Sequence, residues 1–330
     1  METPPNPHQN IHPASLLESF EPVLRKRMGD RSFETRLTIE KRVNPSGPAI
    51  FSRLLNRFMH GVYLTTLNVS LSLMGKRRRS VENCWKTRII LNTFALNKFS
   101  QGPSVRILHL SDFHLDTKLE QAASWASQIE PLEYDIAVIT GDFLNGYRLP
   151  DIEELDALRT VIQAIRKPVY GILGNHDCML ITPFLEETGI TMLLNESVET
   201  EVHGIKLLVT GLDDSHLFQA DDLEFATREL KPDANRYALN LVLAHSPKKV
   251  RALAKAGYDL CLSGHTHGGQ LCTSQGLPLL RNGLYHADTV AGKWELDSLH
   301  GYTSRGTGTG RLAFRLNCQP EIVLHEIRGF

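Results

Sequence analysis

Asp, His and Asn recur in this chain in five short motifs, and all three residue types hold metal ions. The motifs are Asp112-Phe113-His114, Gly141-Asp142, Gly174-Asn175-His176-Asp177, Ala244-His245 and Gly264-His265-Thr266-His267. In an extended segment, residues two apart point the same way. Asp112 and His114 are therefore expected to grip one ion while Phe113 turns into the core. Asp142 follows a glycine, which lets the backbone turn sharply and bring a carboxylate close to a metal. A carboxylate has two oxygens, so it can bridge two cations and offset their repulsion. Asn175 offers a neutral carbonyl oxygen, again after a glycine. The imidazoles of His245, His265 and His267 suit Mn, Fe or Zn better than Ca. Taken singly, an Asp-x-His or a Gly-Asp is an ordinary turn. Five such motifs, each at the end of an apolar run, point to a metal site.

Strands must position these motifs. Val105–Leu110, Asp135–Thr140, Val169–Leu173, Ile205–Thr210, Leu239–Ala244 and Asp259–Leu262 read as buried strands. Leu119–Ile129, Ile152–Ile165, Asp222–Leu230 and Lys248–Ala256 read as helices between them. The alternation implies an α/β domain whose strand ends gather ligand-bearing loops at one edge. His109, inside the first strand, is expected to pack or to support a ligand. Asp213 and Asp214 read as a turn. Asn145 and Arg148 follow Asp142 closely enough to reach a substrate. Arg305 can meet a phosphate, although a glycine-flanked surface arginine is the plainer expectation. Gly268-Gly269-Gln270 is read as packing beside the histidines. Gly306, Gly308 and Gly310 lack the strand-then-helix context of a dinucleotide site.

Composition bounds the partners. The formal net charge of −1 hides an asymmetry: residues 1–104 carry 16 Lys/Arg against 7 Asp/Glu, and residues 105–330 carry 20 against 30. A boundary is therefore expected near Gly102-Pro103-Ser104, with a basic N-terminal region (1–104) and a catalytic domain (105–330). Phe51, Leu54, Leu55, Phe58, Met59 and Val62 recur at helical spacing, with Arg53 and Arg57 between them, and predict an amphipathic helix. Val69–Leu73 fits helix or strand, and the basic run Lys76–Arg79 follows. Such a region suits an anionic membrane surface or a solvated cap on the catalytic domain. The uncharged stretch Phe58–Met74 is 17 residues and polar-interrupted, too short to favour a span. No secretory signal is expected. The five Cys are scattered without a C-x-x-C pair, as expected of reduced thiols in a cytoplasmic protein.

The order of the five motifs resembles the calcineurin-like metallophosphoesterase superfamily, over about Val105 to Phe330. His109-Leu110-Ser111-Asp112-Phe113-His114, Gly264 to Gln270, and Arg315-Leu316-Asn317-Cys318-Gln319-Pro320-Glu321 are similar to a bacterial branch of small phosphodiesterases. That branch includes enzymes of lipid A synthesis that hydrolyse the pyrophosphate of UDP-2,3-diacylglucosamine, here the type with His at position 176. The resemblance implies two packed mixed β-sheets flanked by helices, a four-layer sandwich. It implies two divalent metals, Mn first. One would be held by Asp112, His114, Asp142 and His267, the other by Asp142, Asn175, His245 and His265. A hydroxide bridging the metals would attack phosphorus, with His176 catalytic and Asp177 orienting it. The implied substrate is a phosphodiester or lipid-linked pyrophosphate, with no nucleic acid; the scattered Cys and the basic N-terminal segment are what lead one to expect the cytoplasm, at the inner face of the membrane. Two alternatives stand beside it: a phosphodiesterase on a soluble or nucleotide substrate, and a non-catalytic scaffold of the same fold.

Overall fold

The structure is a computed structural model describing residues 13–43, 62, 64–96, 103–279, 285, 287–310 and 312–329. The parallel strands β2 (Val105–Leu110), β3 (Ile136–Ile139), β4 (Val169–Gly171) and β5 (Ile190–Met192) are flanked by β12 (Glu321–Arg328) and β1 (Arg88–Ala95). The order across this first sheet is β1-β12-β2-β3-β4-β5, with β12 antiparallel to β2. The second sheet runs β10-β11-β9-β8-β7-β6. Its parallel centre is β7 (Ile205–Leu212), β8 (Leu239–Ala244) and β9 (Leu260–Ser263). β11 (Leu299–Thr303) continues it in parallel, and β6 (Glu196–Val202) and β10 (Gly292–Leu296) are the antiparallel edges.

Both faces of each sheet are covered, so the central strands read as continuous apolar runs rather than alternating ones. Ile107, Ile136, Val138 and Ile172 of the first sheet face Val209, Leu241, Leu243 and Leu262 of the second, forming the inner core. Leu108, Leu110 and Ile139 point the other way. They meet Trp125 and Ile129 of helix α5 (Gln121–Ile129) and Leu158 and Val161 of α6 (Ile152–Gln163). Val242 and Cys261 meet Leu253 of α9 (Val250–Lys255) and Ala226 of α8 (Leu223–Ala226) outside the second sheet. This is the expected four-layer sandwich of two mixed sheets flanked by helices. α8 is shorter than the helix expected over Asp222–Leu230: Asp222 caps its start and Thr227 ends it.

The first sheet crosses the boundary suggested by the charge shift. All eight residues of β1 pair in parallel with β12. Helices α1 (Pro13–Met28) and α2 (Asp30–Val43) also enter the outer core through Leu24, Met28 and Phe33. α2 carries the fully buried Arg36, which pairs with Asp213 and donates to the backbone carbonyl of Asp177. Residues 64–73 form a helix, α3, which settles the segment that fitted helix or strand. The basic run Lys76–Arg79 leads into α4 (Arg77–Asn83). The amphipathic helix expected over Phe51–Val62 lies, apart from Val62, outside the described residues. Among the described residues no helix is long and apolar enough to cross a membrane.

Candidate metal centre

Strands β2, β3, β8 and β9 end at one edge of the sandwich, and all seven candidate ligands lie in the turns just beyond β2, β3, β4, β8 and β9. Asp112, His114 and His267 form one group of buried ligand atoms within 4.8 Å of one another, and Asp142, His245 and His265 form a second. Asn175 joins the second: its Oδ1 is 2.9 Å from His245 Nε2 and 2.5 Å from His265 Nδ1. Asp142 Oδ2 faces both groups, 3.3 Å from His245 Nε2 and 3.7 Å from His114 Nε2.

The convergence of Asp112 and His114 has a different origin from the extended geometry expected of them. Asp112, His114, Asp142, His265 and His267 all adopt left-handed backbone, with φ of 51°, 46°, 57°, 69° and 48°. Side-chain-bearing residues rarely take this conformation, and it concentrates at functional sites. Phe113 does turn into the core, stacked on Trp125. Two glycines allow the close approach of the loops. A Cβ on Gly141 would lie 2.5 Å from the Gly174 nitrogen, and one on Gly308 would lie 1.9 Å from the Phe113 carbonyl oxygen. Gly308, in the loop set aside in the sequence, therefore walls the site: its N–H donates to the Asp112 carbonyl at 3.1 Å.

Burial and charge set the protonation states. Burial pushes His114 down to about 3 and His267 well below its ordinary value, so both rings are neutral. Their Nε2 atoms face each other at 3.1 Å. Burial pushes the Asp112 carboxyl up to about 6. Burial acts against ionisation of Asp142 and His245 too, but their mutual attraction wins. Asp142 stays well below the usual carboxylate range, and His245 rises to about 10. His245 is oriented by its Nδ1, which donates to the Thr140 carbonyl at 2.6 Å and leaves Nε2 for the site. The two buried groups of carboxylate oxygens and ring nitrogens, each drawn together within 4.8 Å, fit cations. Arg315, fully buried, donates to His267 Nδ1 at 3.0 Å. A cation at His267 Nε2 needs a proton on Nδ1, so loading requires that contact to open.

His176 sits on the seam between the groups. Its backbone N–H donates to Asp142 Oδ1 at 2.8 Å, its ring stacks on Tyr147, and it stands edge-on to His114. Asp177 does not orient that ring. Its carboxylate accepts the backbone N–H groups of Asp142, Phe143 and Gly174 at 2.7–2.8 Å, which uses its oxygens to clamp two site loops together. Arg148 is turned away, paired with Glu154 at the start of α6, and Asn145 donates its N–H to Asp116. Arg305 pairs with Glu321 at 3.0 Å. Asp214 does form a turn, accepting from the N–H groups of His216, Leu217 and Phe218. Sequence reasoning missed His216 and Tyr285. The His216 ring lies 4.3 Å from that of His265, and Tyr285 Oη is 3.0 Å from His216 Nδ1. Nothing in their local sequence announces them. A cavity of about 650 Å³ is lined by Arg106, Glu130, Glu133, Asp135, Arg166 and His203; Arg106 pairs with Glu133, Arg166 pairs with Glu130, and His203 Nε2 lies 2.9 Å from Asp135 Oδ1.

Comparison with known proteins agrees with this geometry. Residues 105–269 match the calcineurin-like phosphoesterase family. An uncharacterized metallophosphoesterase, YkoQ, of Bacillus subtilis is 30% identical over 72% of this chain and 90% of its own length. An uncharacterized metallophosphoesterase of Aquifex aeolicus is 30% identical over 73% and 92%. Phosphodiesterase YaeI of Escherichia coli is 28% identical over 72% and 87%. The matched segment spans every one of the ligand-bearing turns, and the chain belongs to the calcineurin-like phosphoesterase family as a metal-dependent phosphoesterase.

Proposed function

We propose that the chain hydrolyses a phosphodiester or pyrophosphate bond with two divalent ions, Mn first. One ion would be held by Asp112, His114, Asp142 and His267, the other by Asp142, Asn175, His245 and His265. The observation that carries this is the single oxygen of Asp142 facing both clusters. When bound, two such ions supply Lewis acidity toward phosphoryl oxygens and a water acidified for attack. The protein's own residues do the rest. His176 is placed to stabilise charge at the phosphoryl group or to protonate the leaving oxygen from its ring. Its Nδ1 is buried without a partner, and Tyr147 stacks on the ring. Asp177 holds the loops of Asp142 and Gly174 at fixed separation. His216 and Tyr285 offer polar contacts to a substrate on the His265 side.

The finer reading is UDP-2,3-diacylglucosamine, met at the inner face of an anionic membrane. The motifs shared with that enzyme type support it. So does an exposed apolar set near the basic run Lys76–Arg79. Val69, Leu73 and Met74 on and after α3 are more than half exposed, as are Leu277 and Leu279. α3 packs through Leu71 on Leu271, which puts both sets on one side of the molecule. Apolar side chains ringed by Lys and Arg suit a lipid surface. The test assays chelated protein, with and without Mn, on UDP-2,3-diacylglucosamine and on a generic diester, with chromatography of the products. Mn-dependent release of UMP supports the finer reading. Activity on the diester alone returns the chain to a phosphodiesterase of another soluble or nucleotide substrate. Full activity after chelation, checked by elemental analysis, overturns the metal mechanism.

A further inference from the structure

A line of buried polar groups runs from the edge of the first sheet to Asp112. Asn92 of β1 places Nδ2 3.0 Å from His325 Nδ1 on β12. His325 Nε2 is 3.2 Å from His109 Nδ1 on β2, and His109 Nε2 is 3.0 Å from Thr140 Oγ1. Thr140 Oγ1 lies 2.7 Å from Ser111 Oγ, which lies 2.6 Å from Asp112 Oδ2. His109, Ser111, Asp112, Thr140 and His325 are completely buried.

The direction of every proton in this line follows from its two ends. An ionised carboxylate only accepts, so Ser111 donates to Asp112. Ser111 has one proton, so its oxygen must accept from Thr140. Thr140 has likewise given its only proton, so it accepts from His109 Nε2–H. The neutral ring of His109 then accepts at Nδ1 from His325 Nε2–H, and His325 Nδ1 accepts from the Asn92 amide. The reverse order would turn the Ser111 proton toward Thr140 and leave the Ser111 and Asp112 oxygens at 2.6 Å with no proton between them. Burial among apolar neighbours pushes both histidines far down, which keeps them neutral as the chain needs.

We propose that Asn92, His325, His109, Thr140 and Ser111 form a one-way donor chain that fixes the Asp112 carboxylate and so sets the affinity of its cluster for a cation. The inference rests on the metal-centre reading above. These are positioning residues: they do not touch the reacting atoms. Each donor in the line polarises the next, which strengthens the last bond to Asp112. Oδ2 accepts from Ser111, the His265 backbone N–H lies 3.0–3.1 Å from both oxygens, and Oδ1 is turned to the side of His267, 3.4 Å from Nε2. Thr140 is the junction, because its carbonyl separately fixes His245.

Two measurements test it. The first is nitrogen NMR on histidine-labelled metal-free protein, with the two rings assigned through His109→Gln and His325→Gln. Both are expected as the neutral tautomer with the proton on Nε2 at pH 7. A proton on Nδ1 of His109, or a charged ring, overturns the proposal, whatever the protein does as an enzyme. The second is calorimetric titration with Mn alone. Thr140→Val keeps shape and removes the hydroxyl. It is expected to weaken binding at one of two sites by ~10–100-fold, the range for losing a group that orients a ligand. Thr140→Ser is expected to restore it. Equal binding by Thr140→Val, with its fold verified by circular dichroism, overturns the proposal. If Thr140→Val does not fold, Asn92→Ala at the half-buried end decides the matter. It removes the donor to His325 Nδ1 at the start of the chain, and an Mn affinity equal to that of the unaltered protein also overturns the proposal. If the unaltered protein binds no Mn while both tautomers are as expected, the metal-centre reading fails and the chain stands.

Discussion

The two halves of the metal centre keep their charge in different ways. The half around Asp142 and His245 holds a carboxylate against an imidazolium, buried together, each stabilising the ionised form of the other. The half around Asp112, His114 and His267 holds two neutral rings, nose to nose, beside a carboxyl that burial pushes up to about 6. A buried charge must be paired or lost: the imidazole of the first half is charged against a carboxylate, and those of the second half are neutral. Loading each half therefore involves different chemistry. The Asp142 half must release the proton of His245, whereas the Asp112 half must rearrange hydrogen bonds, including the Arg315 contact to His267.

The change that removes the contrast altogether is Asp142→Ala, since Asp142 faces both halves. We expect it to abolish binding of both ions and to lower activity by more than the ~10²–10³-fold typical of losing one electrostatic stabiliser. Retention of two Mn per chain, by elemental analysis, would break the comparison. His176, on the seam, comes next. His176→Ala is expected to lower the rate ~10²–10⁴-fold on esters with poor leaving groups and far less on activated aryl esters. Its metal content should stay normal, and loss of metal would make His176 a ligand instead. The proton balance sharpens the contrast directly. His245 stands at about 10 in the metal-free protein, so at pH 7 a cation displaces its proton. Binding to that half should tighten by up to about tenfold per pH unit as pH rises toward 10. Calorimetry in two buffers of different ionisation heat counts the proton, and His245→Asn should abolish the release. Identical heats for the unaltered protein would refute the ion pair. The smallest effect on chemistry is expected from changing Lys76, Arg77, Arg78 and Arg79 together to Ser. Turnover of a soluble diester should be unchanged while salt-sensitive sedimentation with anionic liposomes falls. Equal sedimentation of both proteins would make this face a solvated surface.

The centre was far more legible in the sequence than the frame around it, for a physical reason. Candidate ligands such as Asp112, His114 and His267 must be of particular types at strand ends, and that leaves a local signature. Partnerships across the chain leave none. β1 looks like any apolar stretch until β12, more than 200 residues later, pairs with it. Asp213 read as part of a turn because its partner, Arg36, lies 177 positions away. β5, at three residues, is too short for any periodicity to show. The role of Asp177 came from the resemblance alone, and no local pattern could show that its carboxylate serves backbone amides of another loop. His109 was legible as a supporting residue only because a histidine is costly inside a strand buried on both faces.

The left-handed backbone at Asp112, His114, Asp142, His265 and His267 also bears on how the molecule breathes. Each such residue holds a conformation that costs an L-amino acid roughly 1–2 kcal/mol. Five of them share one rim, where local opening relieves that strain without disturbing the interior of β2 or β8. The rim is thus the place where native-state amide exchange should run ahead of global unfolding. A cation bound there closes the gap, because it stabilises only the closed form. The ions that serve the chemistry would then also be what makes the rim as slow to exchange as the sheets beneath it.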